Sequence, residues 1–168
     1  MAVTITATNY PAFSGLSGVS GKVQKLYINY GTGATEAKPV WVKVGGISST
    51  TLSLSADVKT VQTKDSGYWA EGGLTSKSGE LSATVYVKRE DVGQAAIEEF
   101  MVNDDITKAK NLLMFALVDE DTNEYYVVKG VPTSWETTAA SDDLIQKSLK
   151  LTVIGAPVKA TGFTATNA

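Results

Sequence analysis

Polar and apolar positions alternate most clearly over residues 80–88. Leu81, Ala83, Val85 and Val87 take one side of a period-two pattern and Ser82, Thr84, Tyr86 and Lys88 the other, which predicts a strand with one apolar face. The strand runs directly into the only convincing helical pattern in the chain, over residues 91–103. There Val92, Ala96 and Phe100 fall four apart, flanked by Ala95 and Met101, and form one apolar stripe. Asp91 with Gln94 is a variant of the capping box, with Asp91 as acceptor for the orphan N–H groups of the first turn. A helix this short is marginal alone in water, so its stripe must lie on something. The nearby partner is 112–118, where both faces of a strand are apolar, the pattern of a strand covered on both sides.

The rest of the chain is read around this unit. Residues 1–21 are rich in Thr, Ala, Ser and Gly and predict an extended N-terminal arm that orders only by docking. Strands are expected over 23–30 and 39–44, separated by a loop, and Gly45-Gly46 marks a turn. Over 50–62, Leu52, Leu54, Ala56 and Val58 alternate with Ser53, Ser55, Asp57 and Lys59. Residues 63–78, with Gly67, Gly72, Gly73, Tyr68 and Trp69, read as one long loop, and loops of this length in compact domains are usually functional or disordered. A hairpin pairs 111–118 with 124–130 across 119–123. Residues 131–136 continue its second strand, with Pro132 at a bulge or edge. The final strand, 145–154, stops at Gly155-Ala156-Pro157, and a flexible small-residue tail follows over 159–168. The sum is a mainly β domain over 22–158, a sandwich or barrel of about seven antiparallel strands with one flanking helix. Open sheet edges in such a domain must be capped or shared with neighbours.

Composition narrows the chemistry. A chain of 168 residues suffices for one domain, and at this size roughly 70% of the unfolded surface is buried. Cysteine and histidine are both absent, which removes disulfides, thiolate metal sites, and the commonest general base and metal ligand. The net charge is −3 and the pI about 5.0. Of the 18 acidic residues, 13 fall between Glu90 and Asp143, against three lysines, and Arg89 is the single arginine. Tight or base-specific binding of nucleic acid depends on Lys and Arg and is not expected. No apolar run approaches the ~20 residues of a membrane helix, and the N-terminus lacks the basic start and apolar run of a signal peptide.

Each candidate site competes with a plainer reading. Gly15, Gly18 and Gly21 invite a phosphate loop, but the separation is wrong and Val23 stands where a metal-reaching hydroxyl belongs. Asp119, Asp121 and Asn123 start like a calcium loop, but Gly130 stands where the bidentate Glu belongs, so a solvated hairpin tip is expected. The acidic pairs Glu90-Asp91, Glu98-Glu99, Asp104-Asp105 and Asp142-Asp143 do not converge as acid and base must. Trp41, Trp69 and Trp135, with Tyr68, Tyr125 and Tyr126, could form a sugar platform. Trp41 and Trp135 sit in strands and fit the core, whereas Trp69 in the long loop fits an oligomer contact. No catalytic residue, cofactor or metal ligand is assigned.

Several segments, taken in order, resemble one family: Trp41-Val-Lys-Val-Gly-Gly-Ile-Ser-Ser, the strand to Gln62, the loop through Asp65-Ser-Gly, the strand–helix unit, Gly130-Val-Pro-Thr-Ser-Trp135, and Leu151-Thr-Val-Ile-Gly-Ala-Pro157. Together they look like the major tail (tail tube) proteins of long-tailed bacteriophages, across roughly residues 22–158. The resemblance implies a non-enzymatic virion subunit. It implies six subunits per ring, with their inner sheets joined in one barrel, and rings stacked into a tube that conducts DNA. The expected partners are the subunit itself, a tape-measure protein, and terminator and baseplate proteins, with no membrane. On this sequence, 63–78 becomes the stacking loop, with Asp65, Tyr68, Trp69, Glu71 and Leu74 as contacts between rings. Residues 1–21 become the arm, and 50–62 with 80–88 the lumen wall. A tube of a contractile injection system and a carbohydrate-binding β-sandwich are the alternatives.

Overall fold

The computed structural model describes residues 21–103 and 112–165. Residues 1–20 of the expected arm and the pair Asp104-Asp105 lie outside them. After a short 3-10 turn at Gly21–Val23 come β1 (Gln24–Asn29), β2 (Trp41–Lys43), β3 (Ile47–Val61), β4 (Glu71–Tyr86), α1 (Val92–Val102), β5 (Leu113–Asp119), β6 (Glu124–Thr138), β7 (Gln146–Val153) and β8 (Val158–Thr161). All strand pairs are antiparallel, in the order β2-β1-β5-β6-β7-β4-β3, with β8 on β6. The ends of that order, β2 and β3, are consecutive in the chain and joined by only Val44, Gly45 and Gly46. A tether this short forces the sheet to curl until its ends meet, and Thr50 Oγ1 in β3 lies 3.4 Å from Gln24 Oε1 in β1. The mainly β expectation holds, with one strand more than counted, and the layers are two halves of a single wrapped sheet.

The main core lies inside the curl. Leu26 and Ile28 of β1, Val42 and Val44 at β2, Leu81, Ala83 and Val85 of β4, Leu113, Phe115 and Leu117 of β5, Val128 of β6, and Leu149 and Leu151 of β7 meet there. The alternation of β5 fills a second cluster on the outer face, where Ala116 and Val118 pack with Tyr27, Trp41, Tyr125 and Phe163. The strand is covered on both sides, as its two apolar faces require. Burial pushes the Tyr27 phenol pKa up, with a smaller contribution from the charge of Glu120.

The helix closes the core at its expected place but with a different face. Val92 is 48% exposed and Met101 is exposed, whereas Gly93, Ala96 and Ile97 are buried and Phe100 packs beside them. The stripe thus runs through positions 93, 96, 97 and 100. The reason is Gly93: a Cβ there would stand 2.6 Å from Lys43 O and 2.8 Å from Val44 Cα, so the helix backbone rests directly on β2. Half of the capping box forms, Gln94 N donating to Asp91 Oδ1 at 2.9 Å. The Gln94 side chain does not reach back to the cap. It is buried, its Nε2 donates to Gly45 O (2.8 Å) and Tyr86 O (2.9 Å), and its Oε1 accepts from Lys88 N (3.2 Å). Asp91 Oδ2 also accepts from Gly45 N at 3.0 Å. One polar cluster therefore ties α1 to the β2–β3 link and the end of β4.

Two expectations are corrected. Residues 71–78 are not loop: β4 begins at Glu71 and pairs with β3 back to Val61, so the connection shrinks to 62–70. Gly72 and Gly73 lie inside the strand, where paired backbone outweighs their turn preference. The tail 159–168 is likewise not free over its described part. Val158–Thr161 pairs with Glu124–Val127, and Phe163 sits 4.7 Å from Tyr27 and 5.2 Å from Tyr125, ring centre to ring centre. Elsewhere Pro132 marks a bulge as expected, with the register shifting between Pro132 and Ser134.

Gln94→Leu leaves two carbonyls and one N–H without their partner, and urea unfolding is expected to show a loss of about 2–4 kcal/mol. The exposed Val92→Thr should change stability by less than about 0.5 kcal/mol. In the dilute monomer, amides of 54–61 and 71–79 should exchange with solvent well before those of 81–85, because no core residue lies beneath the former. Equal protection across β4 would refute this.

Candidate assembly interface

β3 and β4 are long strands whose neighbours cover only one end of them. β7 pairs with Glu80–Tyr86 of β4, and among the described residues nothing pairs with Glu71–Gly79 except β3. Leu81 is fully buried and its partner Leu52 packs against the core, and from there outward both strands are exposed apart from the half-buried Gly79. The result is a two-stranded ribbon projecting from the domain, of a kind with marginal stability alone.

Its register fixes two unlike faces. Directly paired residues share a side, so Leu54, Ala56, Val58 and Leu74, with Lys77 opposite Ala56, continue the side that holds Leu52 and Leu81 in the core. Leu54 is 60% exposed, Val58 62% and Leu74 57%. The opposite side carries Ser53, Ser55, Asp57, Lys59, Ser76, Ser78 and Glu80. A bulge at Thr75 keeps the sides in phase, pinned by Thr75 Oγ1 on Asp57 O (3.0 Å) and Ser76 Oγ on Asp57 Oδ2 (2.7 Å). At its base the apolar side meets Val153, Gly155 and Pro157 in a shallow groove. β3 ends the sheet order, so its outer edge has no neighbouring strand among the described residues. A long edge with an apolar face beside it is a template for another chain.

The tip, 62–70, is braced locally. Ser66 Oγ donates to Thr63 O (2.8 Å) and accepts from Thr63 N (2.9 Å), while Gly67 turns at φ +64. Beyond this brace Tyr68 and Trp69 are 101% and 85% exposed. Of the five contacts expected from sequence, Asp65, Tyr68 and Trp69 lie in the tip. Glu71 and Leu74 lie in β4 on opposite sides, opposite Val61 and Val58 respectively. The three tryptophans do not converge: Trp41 is buried near Phe163, and Trp135 lies under Lys147 Nζ, 5.3 Å from the ring centre.

The acidic groups are engaged separately. Glu98 meets Lys147 at 2.6 Å, and Glu99 accepts from Tyr30 OH at 2.8 Å, a bond that raises the Tyr30 pKa. Asp119 Oδ1 accepts from Asp121 N at 2.9 Å and so braces its own turn. Among the described residues no three acidic side chains are grouped to hold a metal, and no helix is long and apolar enough to cross a membrane.

Similarity to known proteins is found in fold and in family. A search of curated proteins by sequence finds no match. Solved structures do match in fold. The tail of an empty gene transfer agent particle, refined helically with C6 symmetry, is 17% identical at a TM-score of 0.66, over 86% of this chain and 100% of the other. The SPP1 tail tube is 20% identical at 0.66, over 88% and 81%. The sheath–tube complex of an extracellular contractile injection system, PVC, is 11% identical at 0.57, over 95% and 100%. A profile described as phage tail tube protein matches residues 21–159, which hold the wrapped sheet, the helix and the whole ribbon. The chain belongs to the phage tail tube protein family.

Proposed function

We propose that this virion subunit closes into rings of six, that the rings stack into a tube, and that the lumen conducts DNA during ejection. The observation that carries the reading is the ribbon: an apolar face and an open strand edge that no described residue covers. Pairing β3 with a neighbour around a closed ring removes the edge hazard without any change of fold. The C6 symmetry of the gene transfer agent tail supports six copies. The tip with Asp65, Tyr68 and Trp69, joined by Glu71 and Leu74 below it, reaches the next ring, where the two exposed aromatics become buried anchors. An excess of acid over base keeps DNA from sticking to the lumen. A tape-measure protein inside the tube and terminator and baseplate proteins at its ends complete the partners. The subunit has no enzymatic task. A tube inside a contractile sheath is the second reading, favoured by the likeness to the PVC tube.

Purified at high concentration, the chain should form rings or tubes in negative-stain images. Leu54→Lys with Val58→Lys and Leu74→Lys should keep the monomer's circular dichroism and remove all assembly seen by sedimentation. Normal tubes from that triple variant would rule out the ribbon. Shortening 62–70 to a two-residue turn should leave rings that do not stack. Binding of duplex DNA at micromolar concentration in physiological salt would count against the conduit.

A further inference from the structure

Among the described residues the outer edge of β3 has no partner, and Leu54, Ala56 and Val58 are exposed beside it. Such an edge invites any strand within reach. Three segments lie outside the described residues: 1–20, 104–111 and 166–168. Only the first carries a strand pattern. Val3, Ile5 and Ala7 alternate with Thr4, Thr6 and Thr8 in an unbroken run of period two, rich in the β-branched residues that favour strands. Pro11 bounds the run, and 1–20 contain no charged side chain. Segment 104–111 is charged at Asp104, Asp105, Lys108 and Lys110, and 166–168 is too short to pair. The described chain also begins at the foot of the open edge. Gly21 and Lys22 line one groove with Ile47, Ser49 and Thr50, and Gln24 Oε1 lies 3.4 Å from Thr50 Oγ1. From there β3 runs away towards Val61. A chain traced backwards from Gly21 along the edge is therefore antiparallel to β3, the sense of every pair in the sheet.

We infer that residues 2–9 add a strand to the outer edge of β3 within the same subunit, a cap that leaves when rings close. Its release rests on the tube reading above, whereas the cap itself does not. Parity sets the faces. With Ile5 opposite Ala56, Val3 meets Val58 and Ala7 meets Leu54, while Thr4, Thr6 and Thr8 meet Asp57, Ser55 and Ser53. A slip by one residue would set the threonines beside the apolar side chains. The chain reaches: the 13 steps from Thr8 to Gly21 span up to about 45 Å at ~3.3–3.6 Å per residue, and the return from Ser53 to Thr50 needs about 10 Å. Added main-chain hydrogen bonds hold the strand, as in other cases of strand addition to a sheet edge. They also turn a marginal two-stranded ribbon into three strands. A tethered strand acts at about millimolar effective concentration, so it holds the edge in dilute monomer. A neighbouring copy that brings a longer strand and a ring to close then displaces it. A cap closed in about nine monomers of ten raises the concentration needed for assembly about tenfold.

The chain has no cysteine, so Ile5→Cys with Ala56→Cys gives one pair on the same side, and Thr4→Cys with Ala56→Cys one pair on opposite sides. In dilute monomer the first should close its disulfide at least about tenfold faster than the second, read by thiol titration and mass. Equal rates overturn the cap. Deleting residues 2–9 should speed exchange of alternate amides across 52–58 at least about tenfold, and unchanged exchange also overturns it. The same deletion should lower the concentration at which tubes appear about tenfold. The first pair, once oxidised, should form no tubes until reductant is added. Normal tubes from the oxidised form, or tubes that require residues 2–9, overturn the release step. A wild type that forms no tubes counts against the tube reading alone, and disulfide rates and amide exchange then decide the cap.

Discussion

The structure depends on a mismatch of strand lengths. β3 and β4 run for 15 and 16 residues, whereas β7, the only other described strand on β4, has eight. Backbone hydrogen bonds carry the long pair forward, but the hydrophobic core stops near Leu52 and Leu81. Within the domain, burial and hydrogen bonding act together. Along the ribbon only the hydrogen bonding remains, and the apolar side waits for a partner. A monomer of this kind is folded yet unfinished.

The wrapped sheet sets the direction in which the ribbon points. The three-residue link between β2 and β3 brings the ends of the strand order together. Gln94 locks that junction by bonding Gly45, Tyr86 and Lys88, and Gly93 lets the helix lie against Lys43 and Val44. The helix is thus a clamp on the root of the ribbon. Its outward residues, Glu98 and Glu99, brace β7 and the end of β1 through Lys147 and Tyr30.

Two apolar surfaces remain outside the main core, and they are treated differently. The outer face of β1, β2 and β5 is covered in cis by Phe163, with ring centres 4.7 Å to Tyr27 and 6.1 Å to Trp41. The ribbon face is covered by nothing among the described residues. An assembling protein can leave bare only as much surface as keeps the monomer soluble, and here one of the two is covered within the subunit.

Much of this was legible in the residues. Period-two alternation located the strands through Leu52, Leu81 and Leu149, a run apolar on both faces located that of Phe115, and Asp91 located the helix start, because these signals are local. The helix face was misread, since Val92 looks apolar and Gly93 looks neutral until the close backbone of β2 makes glycine the buried one. The run 71–78 reads as loop because Gly72 and Gly73 are turn residues, and only pairing with 55–61 makes it a strand. Phe163 is a lone aromatic in a small-residue stretch, and its meaning comes from three rings supplied by β1, β2 and β6. Sequence determined where strands and caps form, because period and capping act over a few residues. Tertiary structure decided which apolar face is core and which is left for another copy, because that depends on where distant strands end.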